Sequence, residues 1–140
     1  MLAIDANLWV AAFDPADRFH EDSVALFRAA AQRGLRLAGP AFVLLESVCA
    51  LRRRLGDPET ARAVGVKIAE YPALHLEPLT GDLLAEAQRL GIDRGLRGAD
   101  ALYAATAARL RCPLLSWDGE LIARAGAISP SDWLVATPAP

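Results

Sequence analysis

Asp5, Glu46, Asp100 and Asp118 are the residues of this chain whose types and positions best suit chemistry. Asp5 ends the apolar run Met1-Leu2-Ala3-Ile4, and Glu46 stands between Ala41-Phe42-Val43-Leu44-Leu45 and Val48-Cys49-Ala50-Leu51. Asp100 opens the alanine-rich stretch from Ala101 to Leu110, and Asp118 follows Pro113-Leu114-Leu115-Ser116-Trp117. A carboxylate is costly to bury unless it is paired or binds a metal. Lysine is nearly absent, since all but Lys67 of the 15 basic residues are arginine. The pattern therefore suggests a divalent-cation site. Magnesium and manganese favour hard oxygen ligands. One or two such ions can polarise a phosphodiester, generate hydroxide and stabilise the leaving oxygen, so no nucleophilic Ser, Cys or His is required.

Each acid also has an ordinary reading. Asp5-Ala6-Asn7 fits a strand end followed by an Asx turn or a helix cap. Glu46 fits a solvated helix face with Arg53 as its ion partner. Asp100 fits a first-turn residue that complements a helix dipole, and Asp118-Gly119 fits a plain turn.

The elements that must carry these residues alternate between strand and helix. Strand-compatible segments lie at Met1–Ala6, Leu35–Ala38, Ala73–Leu76 and Pro113–Ser116, with a further short one near Ala127-Ile128. Helical spacing covers His20–Gln32, Pro40–Leu55, Glu59–Glu70, Thr80–Leu90, Ala99–Arg109 and Gly119–Ala125. Asp14-Pro15-Ala16-Asp17 is a polar break, Gly56-Asp57-Pro58 a break and restart, and Gly91 to Gly98 a loop carrying Arg94 and Arg97. This alternation predicts a parallel sheet covered by helices on both faces. Ligands of such sheets bind beyond the carboxyl ends of the strands. Asp5 and Asp118 fall at strand ends and Asp100 at a helix start, so different elements aim carboxylates at one edge.

Composition bounds the rest. A length of 140 residues with 54% hydrophobic content fits one domain, residues 1–140, with a loose tail over residues 136–140. No apolar run reaches the roughly 20 residues of a membrane span, and no export signal is visible, which makes the cytoplasm the default location. Cys49 reads as a small core residue of a helix and Cys112 as a reduced thiol leading into a strand, with no zinc-type spacing around either. The net charge of −2 argues against a generally basic nucleic-acid coat. It leaves room for a site in which bound cations attract phosphate. Arg52-Arg53-Arg54 reads as a solvated helix end, His75 as structural, and Trp9 and Trp133 as core or interface residues. Trp117 reads as packing or as a wall beside Asp118, and Arg94 and Arg97 as candidate phosphate contacts near Asp100.

Taken in order, four segments resemble the PIN-domain nucleases, and within them the VapC-type toxins of prokaryotic toxin–antitoxin pairs. Met1-Leu2-Ala3-Ile4-Asp5-Ala6-Asn7 is similar to the family's opening strand with its Asp-x-Asn/Ser motif. Pro40 to Glu46 is similar to its second acidic helix, and Arg97-Gly98-Ala99-Asp100-Ala101-Leu102-Tyr103-Ala104-Ala105-Thr106-Ala107 is the most specific match. Leu114-Leu115-Ser116-Trp117-Asp118-Gly119-Glu120-Leu121 resembles the fourth motif, with Ser116 in place of the commoner Thr. Glu120 has no assigned role.

The resemblance spans essentially the whole chain. It implies a three-layer α/β/α sandwich around a central parallel sheet of four to five strands. It also implies magnesium-dependent endoribonuclease activity, with manganese as a substitute. Asp5, Glu46, Asp100 and Asp118 would hold the metal, and Asn7 and Ser116 would support them by hydrogen bonding. Implied partners are an RNA substrate, a small antitoxin protein and a second copy of the chain in a homodimer. A PIN nuclease of RNA maturation and a catalytically silent PIN-like scaffold are the alternatives. Phosphatase and receiver folds that also place an Asp at a strand end need a lysine where Lys67 does not stand.

Overall fold

Three short, fully apolar segments make three of the sheet's four strands, because strands covered on both faces tolerate no polar alternation. In the computed structural model, which describes residues 1–137, these are β1 (Leu2–Ile4), β2 (Leu37–Pro40) and β4 (Leu114–Leu115), and every residue of all three is buried. The half-buried β3 (Leu74–Glu77) forms one edge. The order is β3-β2-β1-β4, and all pairings are parallel: Leu2 opposite Leu37, Ala3 opposite Leu114, and Leu37 opposite Leu74. A single parallel bridge from Leu115 to Ile128 stands where a short last strand was expected.

The helices are α1 (Ala6–Phe13), α2 (His20–Gln32), α3 (Phe42–Leu55), α4 (Pro58–Ala69), α5 (Gly81–Arg94), α6 (Gly98–Leu110), α7 (Gly119–Ala125) and α8 (Pro130–Ala136). α6 lies along β1, β2 and β4 with α5 packed outside it, while α1 packs on α2 and α3, and α3 on α4. The arrangement is the expected α/β/α sandwich with four parallel strands. No helix of the described residues is long and apolar enough to cross a membrane.

Several boundaries differ from the expectation. α1 is buried at Ala6, Leu8, Trp9, Val10 and Ala11. An apolar run enclosed on most sides shows no helical stripe, so its helical state was not visible. α5 continues through Gly91 to Arg94, which leaves only Gly95 to Arg97 as the loop. α6 passes beside Gly91, where an added Cβ would meet the Ala101 methyl at 3.5 Å, an ordinary contact distance. α8 was not expected; only its last residue, Ala136, falls in the anticipated tail, and residues 138–140 of that tail lie outside the described residues. Cys49 is exposed on α3, contrary to the core position expected for it. Arg54 is not simply solvated: it pairs with Asp14 at 3.2 Å and Asp17 at 2.6 Å, tying the end of α3 to the turn after α1.

The restart between α3 and α4 follows the local chemistry. Gly56 closes α3 in the left-handed conformation, and the Asp57 side chain then accepts from the Glu59 and Thr60 backbone N–H groups, with Pro58 in the first turn. The hairpin so formed packs tightly at Gly65, where an added Cβ would lie 2.8 Å from Val48 Cγ1. Gly65→Ala gains up to about 1 kcal/mol of helix propensity, but overpacking against a stiff valine costs about 1–3 kcal/mol. A net loss of roughly 1 kcal/mol is expected in urea denaturation. An unchanged or higher midpoint would show that α4 can draw away from α3 freely.

Candidate active site

The carboxyl edge of the sheet is assembled around Asp5. The Asp5 backbone N–H donates to the Leu115 carbonyl at 3.1 Å, which extends the β1–β4 ladder and sets Asp5 beside Ser116. Asp5 occupies the cap position of α1, yet its side chain caps nothing. Instead it accepts from Ser116 Oγ at 2.5 Å and from Asn7 Nδ2 at 2.7 Å. Asn7 Nδ2 also donates to Ser116 Oγ at 3.0 Å, and Asn7 Oδ1 accepts from the Trp117 backbone N–H at 3.2 Å. Ser116 Oγ accepts in turn from the Asp118 backbone N–H at 2.9 Å. The two residues expected to support the acids thus both touch Asp5.

Asp118 serves two purposes. Its Oδ1 accepts from the Glu120 backbone N–H at 2.7 Å as the cap of α7, while Oδ2 accepts from Arg97 Nη2 at 3.1 Å. Asp100 stands in the first turn of α6, where Arg97 Nε donates to it at 3.1 Å. Arg97 Nη2 also lies 3.2 Å from Glu120 Oε2, so one guanidinium binds three carboxylates. Glu46 is half-buried on α3 and accepts from Tyr103 Oη at 2.7 Å, in place of the ion pair with Arg53 that helical spacing suggested. Arg94 is not brought to the acids: its Nη1 reaches the Ala125 carbonyl at 3.5 Å.

Trp117 stacks on Phe19 with ring centroids 4.2 Å apart and donates from Nε1 to Ser23 Oγ at 2.9 Å, which ties the Asp118 turn to α2. Trp9 and Trp133 are core residues. His75 pairs with Glu77 at 3.0 Å on β3.

The electrostatics follow from burial. Burial drives the Asp5 carboxyl up to about 7, against the hydrogen bond from Ser116, and the nearby charges of Glu46 and Asp100 push the same way. Asp100 is also raised, first by burial and then by Asp118 and Glu120, with Arg97 opposing. The Tyr103 phenol is raised far above its usual range by burial and by Glu46 and Asp5, so it remains a proton donor to Glu46. Asp100, Glu120 and Asp118 raise the Arg97 guanidinium further.

As donors, the acids are hard oxygens carrying more negative charge than their surroundings neutralise, which suits a divalent cation. Among the described residues no three acidic, histidine or cysteine side chains converge into a ready-made ion cage. Arg97 bridges Asp100, Asp118 and Glu120 as a stand-in cation, and Tyr103 holds Glu46. The donor set fits the ion, and Arg97 occupies the position between three of the acids.

Tyr103 and Glu120 were not singled out as members of the site by sequence. Tyr103 stands three residues after Asp100 and shares its face of α6, a spacing that could have marked it. Glu120 carried no such periodic signal.

Carboxylates gathered at the carboxyl edge of a parallel α/β/α sheet define the class of protein, an α/β fold with an acidic edge site. The chain belongs to the PIN domain family, whose model matches residues 2–127. Its fold is shared with VapC20 of Mycobacterium tuberculosis, a sarcin-ricin loop cleaving toxin, at a TM-score of 0.78 and 23% identity over 91% of this chain and 97% of that one. PAE2754 from Pyrobaculum aerophilum is 27% identical over 96% and 93% of the two chains, with a TM-score of 0.67. FitAcB from Neisseria gonorrhoeae is 17% identical over 95% and 99%, with a TM-score of 0.66. None of the curated proteins matches the chain significantly.

The raised Asp5 carboxyl has a consequence for the metal-free protein. Between the ordinary value of 3.8 and about 7, the unfolded chain has released this proton while the folded chain keeps it. Stability must therefore fall as pH rises through that window, by at most about 4 kcal/mol, and level off above it. Asp5→Asn removes the effect. Urea midpoints at pH 5 and pH 8 should differ less in this variant than in the wild type, and an unchanged difference would assign the slope to another group.

Proposed function

We propose that this protein is a magnesium-dependent endoribonuclease, with manganese as a substitute, acting as the toxin of a type II toxin–antitoxin pair in the cytoplasm. The observation that carries the reading is that Asp5 follows β1 and feels the charges of Glu46 and Asp100, while Arg97 links Asp100 to Asp118 after β4. Membership in the PIN domain family and the shared fold with VapC20, itself described as a sarcin-ricin loop cleaving toxin, support it. On this reading the partners are an RNA substrate, a small antitoxin and a second copy of the chain, and residues 1–140 act as one PIN domain.

Asp5, Glu46, Asp100 and Asp118 would hold the metal. When bound, the ion supplies Lewis-acid activation of the phosphodiester and of the attacking water. The protein's own groups do the positioning. Ser116 and Asn7 donate to Asp5 and turn its oxygens away from the cap of α1. Tyr103 fixes the Glu46 carboxylate from the α6 side. The Trp117–Phe19 stack walls the turn that carries Asp118. Arg97, exposed beside the acids, would be the arginine to meet a phosphate, while Arg94 lies against the end of α7, farther from them.

Total RNA incubated with the protein and magnesium, followed by mapping of new 5′ ends, tests the reading. Asp5→Asn and Asp100→Asn should each reduce cleavage by more than the roughly 10- to 100-fold typical of losing a residue that merely orients a ligand. Wild-type rates in both variants with magnesium present would overturn the mechanism.

A further inference from the structure

One guanidinium shared among three carboxylates is more than a surface ion pair. Arg97 Nε lies 3.1 Å from Asp100 Oδ2, and its Nη2 lies 3.1 Å from Asp118 Oδ2 and 3.2 Å from Glu120 Oε2. Asp100 is the i,i+3 neighbour of Arg97 at the start of α6, whereas Asp118 and Glu120 belong to the cap and first turn of α7, so local sequence does not require the two groups to share a cation. With Arg97 removed, they would face one another with no positive charge between them.

The backbone at Arg97 is fixed, while its side chain is held by these ion pairs at the exposed rim. Gly95 closes α5 in the left-handed conformation, and its carbonyl accepts from Arg124 Nη1 at 2.6 Å, anchoring the loop to α7. The Arg97 carbonyl accepts from the Ala101 N–H at 2.8 Å as α6 begins. The side chain itself is 65% exposed, so it can swing into solvent without repacking the core. Arg124, the other arginine near Glu120, approaches only to 4.0 Å and does not reach Asp100 or Asp118.

We infer that Arg97 is an internal counter-cation: it keeps Asp100, Asp118 and Glu120 together while no metal is bound, and a divalent cation must displace its guanidinium to reach them. This rests on the metal-site reading above. A guanidinium and a divalent cation cannot share the same carboxylate oxygens without repulsion between them, and that repulsion is only partly screened at close range. Displacement also turns a paired arginine into one free beside the site, where a phosphate group can take it. Arg97 is in this sense a positioning residue whose charge opposes metal entry and, once released, favours an anionic substrate.

The experiment uses manganese alone as the probe, by calorimetric titration of the full chain. Arg97→Gln should bind manganese about five- to tenfold more tightly than the wild type. Arg94→Gln, with the same charge change but no contact with the acids, should bind within about twofold of it. Equal or weaker binding by Arg97→Gln overturns the inference. A magnesium titration followed by the proton–nitrogen NMR signal of the Arg97 Nε–H gives a second readout. That signal should move to the position of a solvated arginine at saturation, and a stationary signal overturns the inference. If the wild type binds manganese and Asp100→Asn abolishes it while Arg97→Gln changes nothing, the metal site stands and the role of Arg97 falls. If neither the wild type nor Arg97→Gln binds, the metal reading itself falls and takes this inference with it.

Discussion

Everything at the carboxyl edge depends on holding one buried carboxylate, that of Asp5. It ends the central strand β1 with all apolar surface spent behind it, and it can accept hydrogen bonds only from what lies ahead. Ser116 and Asn7 supply them, and because Ser116 also accepts from the Asp118 backbone, one node fixes both the end of β1 and the turn after β4. A buried polar group is costly when unpaired and rigidifying when its partners are complete. The same hydrogen bonds that make Asp5 tolerable in the fold therefore determine where Asp118 can point.

The node solves hydrogen bonding and leaves charge unsolved. Asp5 feels Glu46 and Asp100 as well as burial, and its carboxyl is pushed up accordingly. Around it two different compensations operate. Tyr103 neutralises nothing but gives Glu46 a directed donor inside the fold, whereas Arg97 brings charge from the exposed rim to Asp100, Asp118 and Glu120. A donor that is buried orients; a cation that is exposed can be exchanged. That difference separates the permanent part of the site from the replaceable part.

The parallel sheet was legible because β1, β2 and β4 are short apolar segments separated by helical spacing, and the positions of Asp5, Asp100 and Asp118 followed from where strands end and helices begin. Glu46 was harder. Helical spacing offers it Arg53 along its own helix, and only the fold reveals Tyr103 across the interface from α6. Contacts between elements distant in sequence leave no trace in periodicity, which is also why Glu120 and the threefold role of Arg97 were out of reach. α1 escaped notice for the opposite reason: enclosed on most sides, it has no polar face to betray its period. Arg94 and Arg97 lie three residues apart in sequence, but the extension of α5 through Gly91 turns the first toward α7 and leaves the second on the loop.

α6 shows why the acids can be assembled at all, and why they are not satisfied. Ala101, Ala104, Ala105 and Ala107 are buried, and their small side chains let the helix lie close to the sheet on one side and to α5 on the other. Its N-terminus then arrives at the carboxyl edge carrying Asp100, and α7 begins beside it with Asp118 as its cap. Helix N-termini favour negative charge, but by only about 0.3–1 kcal/mol each at exposed sites. Asp100 stays raised at the start of α6, by burial first and then by Asp118 and Glu120, with Arg97 opposing. The start of α6 therefore does not by itself offset the burial of the acid it delivers. The geometry that brings the carboxylates together leaves positive charge to come from outside the backbone, and in this structure the exposed Arg97 supplies it to Asp100, Asp118 and Glu120.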